Sequence, residues 1–562
     1  MKIFYFIAFS FLLFINANIP AQPPNWEWAK NAGHTNTPTN QSVSTDAFGN
    51  VYVAGNFFST TIVFGNDTLI NLTNPDTAHL VSDIFITKYD SSGNVLWAKS
   101  AIGPGSNATS ICTDALGDFY VTGYFSDSLI FGNTVLTNNH SESVFTAKFN
   151  SSGNVIWAKT TVTTSNNCSF NMGRSISTDF SGNVYITGYF SNANIIFDSI
   201  ILINSGTTSC NWDFFIAKYD SAGGIIWAKN AGGYYNELGQ SINADALGNI
   251  YVTGFFSNSD ITFGNITLTP AINANCFIVK YDSTGGVVWA NSIVGDISDC
   301  SLNIDISGTI YLTGGFSGTA VFGNDTLIDR STIGRSNIFI AKYSSYGTPI
   351  WGKCVGGTNY DAGQSICTDT RGNIYATGYF ASSSIVFGND SLINSANAGG
   401  ADVFVVKYDS TGATLWTKSI GGPNWKMGQS ISANTFGDVY ITGSFGYPEI
   451  NFGNITLTSS NGLFDFYIAK LGNQYTTDIA TENISYAHIT VFPNPSTGTF
   501  NFTGLTPGST IQIYNVLGEI IYNETANNES YRVSLNNQTK GIYFYRVSDN
   551  GNDVGQGKIV LE

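Results

Sequence analysis

An all-β fold is what this sequence predicts, and three observations predict it. The chain has 562 residues with 60 Gly, 40 Phe, 29 Tyr and 10 Trp but only 11% charged residues. That composition suits pleated strands and tight turns better than helices, which favour Ala, Leu, Glu and Lys. Four sequence signatures recur seven times in fixed order. Within each recurrence the spacing from a strand aromatic to the next tryptophan never changes, as in Phe85 to Trp97, Phe145 to Trp157 and Phe404 to Trp416, which is the mark of a locked hairpin register. The repeats predict a seven-bladed β-propeller, and a differently patterned tail predicts a small Ig-like β-sandwich after it.

Residues 1–21 read as a signal peptide: Met1-Lys2, the apolar run from Ile3 to Ile15, and the small-residue end Ile19-Pro20-Ala21. The run falls short of the roughly 20 apolar residues that span a bilayer. No later stretch reaches that length, so no transmembrane segment is expected after signal removal. Export permits disulfides. The cysteines are Cys112, Cys168, Cys210, Cys276, Cys300, Cys354 and Cys367, an odd set without a Cys-x-x-Cys pair, which argues against zinc. Cys168 and Cys210 lie in long connections and could pair, whereas Cys112 and Cys367 read as small buried strand residues.

Residues 22–471 hold the repeats. Tryptophan stands at Trp28, Trp97, Trp157, Trp227, Trp289, Trp351 and Trp416, at intervals that are similar but not equal. An Asp-x-x-Gly-Asn-like turn and a Tyr-x-x-Gly strand follow each, beginning at Asp46, Asp114, Asp179, Asp245, Asp305, Asp369 and Asn434. Then come a Phe-Gly-Asn element, varied at Phe197, and an aromatic-x-x-Lys strand. Each unit offers four strands in two hairpins turning on glycine. Trp28 marks a fourth strand without its first three, and the copy ending at Lys470 has three without a fourth. A strand near Asn25 to Lys30 therefore closes the ring with Gln429 to Lys470. The unit resembles the SBBP repeat of exported bacterial proteins over about residues 25 to 471. That resemblance implies propeller architecture and no general activity.

Residues 472–483 read as a linker, and 484–562 as a second domain of short alternating strands. Its ordered motifs are Pro493-Asn494-Pro495, Tyr514-Asn515 with Gly518, Gly541-Ile542-Tyr543 leading to Val547, and the terminal Lys558-Ile559. They resemble the C-terminal sorting domain of the type IX (Por) secretion system of Bacteroidota. The resemblance implies a partner, the type IX secretion machinery acting through residues 484–562, and a secreted or outer-surface location.

A net charge of −16 with only 23 Lys and Arg leaves no footprint for nucleic acid or anionic lipid. His34, His79, His140 and His488 show no metal-ligand spacing. Gly239-Gln240-Ser241 and its equivalents begin like a nucleophile elbow but lack the closing glycine, and read as strand entries. One aspartate per turn falls short of a calcium shell. No cofactor, metal or catalytic residue is therefore expected. The recurring turn aspartates and the lysines repeated in strand three and after the tryptophan read as scaffold that satisfies turn amides and each other.

Function is expected where copies differ. One face carries uniform turns. The other carries connections whose lengths change from copy to copy, both from the Phe-Gly-Asn phenylalanine to the strand-three aromatic and from the tryptophan to the turn. On that irregular face the candidate binding residues are Tyr234, Tyr235, Tyr360, Trp425 beside Lys426, Trp212, Arg330 and Arg335. The reading is a non-catalytic binding module for a glycan or protein ligand. Two alternatives stand beside it: a polysaccharide hydrolase using Asp361 or Glu237, and a structural surface coat. Triplets at Asp67, Asp127, Asp325 and Asp390 also resemble O-glycosylation sites of Bacteroidota.

Overall fold

The computed structural model describes residues 23–32, 41–73, 81–114, 116–138, 142–164, 168, 170–206, 210–271, 274–331, 334–396, 399–459, 464–472, 489–515, 520–549 and 552–561. The signal peptide of residues 1–21, linker residues 473–483 and all four histidines lie outside the described residues. The chain divides into two compact units, Met1–Gln474 and Tyr475–Glu562. Both are built of strands, with no helix among the described residues.

Each repeat starts from its turn. Asp46 Oδ1 accepts the backbone N–H groups of Phe48 and Asn50, both at 2.9 Å, while Oδ2 accepts Asn50 Nδ2 at 2.8 Å. Gly49 closes the turn at φ +81°, a conformation that a Cβ disfavours. The Tyr52 hydroxyl donates to the same carboxylate at 3.2 Å, and Lys88 Nζ stands 4.8 Å from the Tyr52 ring centroid. All seven strand-three lysines sit over the strand-two tyrosine in this way, at 4.7 to 5.8 Å. The expectation that Asp and Lys satisfy each other is corrected here. Among the described residues only Lys148 and Lys470 of that set reach carboxylates directly. Elsewhere the tyrosine stands between, its ring face taking the ammonium and its hydroxyl the carboxylate.

The strands assemble into antiparallel four-stranded sheets in the order one, two, three, four. The first is Ser42–Thr45, Val51–Phe57, Asp83–Tyr89 and Val95–Ala101. Equivalent sheets follow, the fourth and fifth being continuous because Val287–Ile304 ends one and begins the other. In the seventh, Lys426–Ala433, Val439–Gly446 and Phe464–Leu471 receive Trp26–Asn31 as their fourth strand. Innermost strands touch in sequence, and the seventh touches the first. The apolar core lies between successive sheets, and one cluster joins Tyr440, Phe466 and Ile468 of the last sheet to Val51, Phe57 and Phe85 of the first.

Two latches link neighbours. Strand one carries a β-bulge at the Gly-Gln-Ser site: Gly239 pairs with Gly254 and Ser241 with Thr253, leaving Gln240 unpaired. The Ser241 hydroxyl accepts the Leu302 N–H of the next sheet at 3.2 Å. The same contact runs from Ile242 to Ser175 and, across the closure, from Val43 to Ser430. These serines are spent on the scaffold. The repeat tryptophan makes the other latch: Trp28 Nε1 donates to Ser91 O at 3.1 Å, and Trp157 Nε1 to Ser221 O at 3.1 Å. A Cβ on Gly93 would lie 2.7 Å from the Trp28 ring.

Beyond the expected four strands, the Phe-Gly-Asn element is the turn of an added hairpin. Thr61–Phe64 pairs with Asp67–Ile70, Phe64 enters the core, and Asp67 Oδ2 accepts the Ala98 N–H at 2.9 Å.

The second unit has a three-stranded sheet, Thr490–Phe492, Thr499–Thr503 and Ser530–Ser534, and a four-stranded one with Ile520–Thr525, Thr510–Tyr514, Gly541–Asp549 and Asn552–Leu561. They enclose Phe500, Phe502, Ile511, Val533, Val547 and Ile559. Asn494 of Pro-Asn-Pro clamps the terminal strand, donating to Lys558 O at 2.7 Å and accepting from Val560 N–H at 2.9 Å.

Candidate functional site

The irregular connections rest on a buried residue at the head of strand three. Asp83 accepts the N–H groups of Leu72 and Gly103, both at 3.1 Å, and thereby pins the connection before strand three and the one after strand four. Asp213 holds Ser205 and Asn230, and Asp402 holds Ser395, in the same manner. Burial pushes all three carboxyls up. A parallel role falls to the head of strand one. Glu237 accepts Gly233 N–H and the Ser259 hydroxyl, and its carboxyl is pushed up to about 8 by burial. Asp361 accepts Gly357 N–H at 2.8 Å, Ala381 N–H at 3.0 Å, Ser382 N–H at 3.0 Å and the Ser382 hydroxyl at 2.7 Å. The two carboxylates are fully buried, stand in non-adjacent sheets and are filled by donors from their own loops.

Lys426 occupies the same strand-head position in the seventh sheet, which corrects its assignment to the exposed surface. It is fully buried, donating to the carbonyls of Pro423 and of Asn424, and burial pushes its ammonium down to about 8. The backbone alternates there, so Trp425 lies over the face while its neighbour points under the loop.

The other candidates sort into two groups. In the first, Trp212 stacks on Tyr189 with centroids 4.6 Å apart and planes 24° apart. The neighbouring loop brings Tyr234 and Tyr235, exposed and edge to face at 5.4 Å. Asn211 donates through Nδ2 to Tyr234 O, and Trp212 N–H donates to Asn236 Oδ1 at 3.1 Å, so the two loops are tied. A disulfide joins Cys168 to Cys210, just before Trp212. Toward the ring axis stand the bulge residue Arg174, bonded to Gln240 Oε1 at 3.1 Å, and the Tyr189 hydroxyl, bonded to Met172 Sδ at 2.9 Å. Glu142 and Tyr124 complete the group. Burial pushes the Glu142 carboxyl up to about 7, and its Oε2 is buried without a hydrogen-bond partner. Burial and the Glu142 charge push Tyr124 up to about 12.

In the second group Arg335 stands 5.3 Å over the Tyr360 ring and donates to Asn359 Oδ1. Tyr379 meets Trp425 edge to face at 5.7 Å, and burial with the charges of Asp299 and Asp361 pushes its hydroxyl up to about 12. Arg330 is exposed on the same loop as Arg335, its backbone N–H bonded to Asn337 Oδ1 at 3.0 Å.

Sequence reasoning missed Tyr124, Tyr189 and Tyr379, although each directly follows the strand-two glycine, where other copies place Asn56, Phe255, Gly315 or Ser444. Cavities lie elsewhere. One of about 1020 Å³ is lined by Trp416, Tyr408 and Cys354, and one of about 410 Å³ by Trp97, Phe131 and Phe149. Both occupy equivalent seams between sheets and are walled by the repeat's own scaffold, so the open aromatic face is the better candidate. No three His, Cys, Asp or Glu side chains group to hold a metal among the described residues.

Residues 490–562 match the family described as secretion system C-terminal sorting domain. The match to this domain indicates export to the cell surface or secretion. Among curated proteins, an uncharacterized WD repeat-containing protein of Acanthamoeba polyphaga mimivirus is 25% identical over 537 residues, covering 79% of this chain and 38% of that protein. The chain spans well under half the length of the curated relatives it matches. Among solved structures, a protein of unknown function from Dyadobacter fermentans shares 9% identity at a TM-score of 0.34, covering 79% of this chain and 99% of that one. PorZ, a surface component of the type IX secretion system of Porphyromonas gingivalis, shares 8% identity at a TM-score of 0.14, covering 95% of this chain and 100% of that one.

Proposed function

We propose that the first unit is a seven-bladed β-propeller of SBBP-type repeats, that the second is an Ig-like sandwich, and that the propeller is a non-catalytic binding module whose ligand lies across the irregular face. The observation that carries this reading is the first aromatic group. At the copy whose inter-sheet connection is longest, a disulfide, a stacked Trp212–Tyr189 pair and the exposed Tyr234 and Tyr235 sit on loops tied to one another, with Arg174 bonded to Gln240 beside them on strand one. Flat, rigid aromatic surface beside polar donors suits the faces of sugar rings, so a glycan is the favoured ligand class and a protein the alternative. The test is a glycan array probed with the mature chain beside Trp212→Ala/Tyr235→Ala. Binding to a defined glycan that falls at least tenfold in the variant is expected. No glycan binding, or binding indifferent to the substitutions, removes the reading.

One observation favours a polysaccharide-acting enzyme as the second reading: a buried Glu142 carboxyl with an unpartnered Oε2, pushed up to about 7 by burial, whose charge is felt by Tyr124. Reducing-end release from the bound glycan, abolished in Glu142→Gln, would establish it.

A further inference from the structure

The face opposite the aromatic groups carries a feature that the repeat fold does not require. The turn joining strands one and two needs its aspartate, its glycine and little else, yet six of seven copies place a large apolar side chain at its tip: Phe48, Leu116, Phe180, Leu247, Ile306 and Phe436. All six are exposed, from 53% to 93%. Arg371 takes the place in the remaining copy. Strand one is innermost, so these tips are set about the ring axis, and the turns of the seventh, first and second sheets meet. A Cβ on Gly49 would touch the Phe436 ring at 3.6 Å, and one on Gly117 the Phe48 ring at 3.7 Å.

We propose that this apolar ring is a self-association surface, through which two copies of the chain pack face to face. Two arguments select a second copy. The first is area: six large side chains at this exposure present about 800 Å² per copy, the amount each partner buries in a stable interface. The second is charge. The chain carries −16, so copies repel through most of their surface. Around the ring, however, the six turn aspartates with Asp118 and Asp438 are matched by the seven strand-three lysines with Arg371. The inner turns therefore add no net charge, and this is a region on which like copies can meet. A twofold contact brings the same ring together with itself and satisfies closed symmetry. Both aromatic faces then point outward, giving a bivalent particle.

Light scattering after size exclusion, on the full mature chain at micromolar concentration, tests this beside Leu247→Glu/Ile306→Glu. These two tips are the most exposed of the six, and an unchanged circular dichroism spectrum with a cooperative melting transition confirms folding of the variant. The expected result is a dimer mass for the parent and a dissociation constant raised on the order of a hundredfold in the variant. A parent that stays monomeric overturns the proposal. So does a dimer that persists in the variant, or one lost on Tyr235→Ala/Tyr360→Ala, which would place the contact on the other face.

Discussion

Glu142 is the group through which a single residue of the candidate site becomes measurable by pH. Its carboxyl ordinarily titrates near 4.5, and burial raises it to about 7 in the folded chain. As pH climbs through that window the unfolded chain releases a proton that the folded chain retains, so stability falls with rising pH and then levels. Glu142→Gln removes this term. The melting temperature of the variant should match the parent near pH 4 and exceed it increasingly up to about pH 7, whereas a pH-independent difference would show that Glu142 titrates alike in the folded and unfolded chain. At this scale the sequence was partly legible. Tyr234, Tyr235, Tyr360 and Trp425 stand out because they interrupt the repeat. Lys426 stands out equally but alternates inward, and no residue-level signal separates it from Trp425. Arg174 and Tyr189 look like ordinary repeat positions, and become site residues only because the strand-one bulge and the strand-two edge meet at the axis.

At the level of elements, the connections are ordered by their anchors. The Cys168–Cys210 disulfide ties the connection entering the third sheet to the one within it, beside the loop that carries Trp212. Removing it with Cys168→Ser/Cys210→Ser should cost about 2–4 kcal/mol of local stability. Glycan affinity and protease resistance between residues 160 and 212 should both drop while the strand signal in circular dichroism holds. Unchanged affinity would detach the disulfide from the site. Four strands of each repeat were readable from hydrophobic spacing and glycine turns. The added hairpin at Phe-Gly-Asn was not, because strands as short as Thr61–Phe64 and Asp67–Ile70 carry too little alternation to register. The strand-three head residue, Asp83 and its equivalents, was also overlooked, since its value lies in bonding two connections distant in sequence.

For the whole molecule, closure is the step on which stability depends. Trp26–Asn31 covers the edge of Phe464–Leu471, Glu27 pairs with Lys470 at 2.8 Å, and Trp28 is buried between Tyr89 of the first sheet and Tyr440 of the last. A ring of like units holds together by nearest-neighbour contacts, and opening one seam frees two sheets at once. Trp28→Ala should cost about 3–5 kcal/mol. Calorimetry should show the transition of the first unit broaden or split relative to the parent, since the first and seventh sheets lose their shared core. A variant melting as one sharp transition at the parent temperature would mean that closure contributes little.

Repetition of short local patterns let the sequence by itself determine the all-β class, the repeating unit, the closing strand and the sorting domain, because turn chemistry and strand alternation are settled within a single repeat. Only the tertiary structure decided which side chains meet. Bulges turn Arg174 and Gln240 toward the axis, carboxylates at strand heads vanish beneath their loops, and turn tips a whole repeat apart come to lie on one face. Those outcomes depend on sheets packing around a common axis, and no local pattern encodes that geometry.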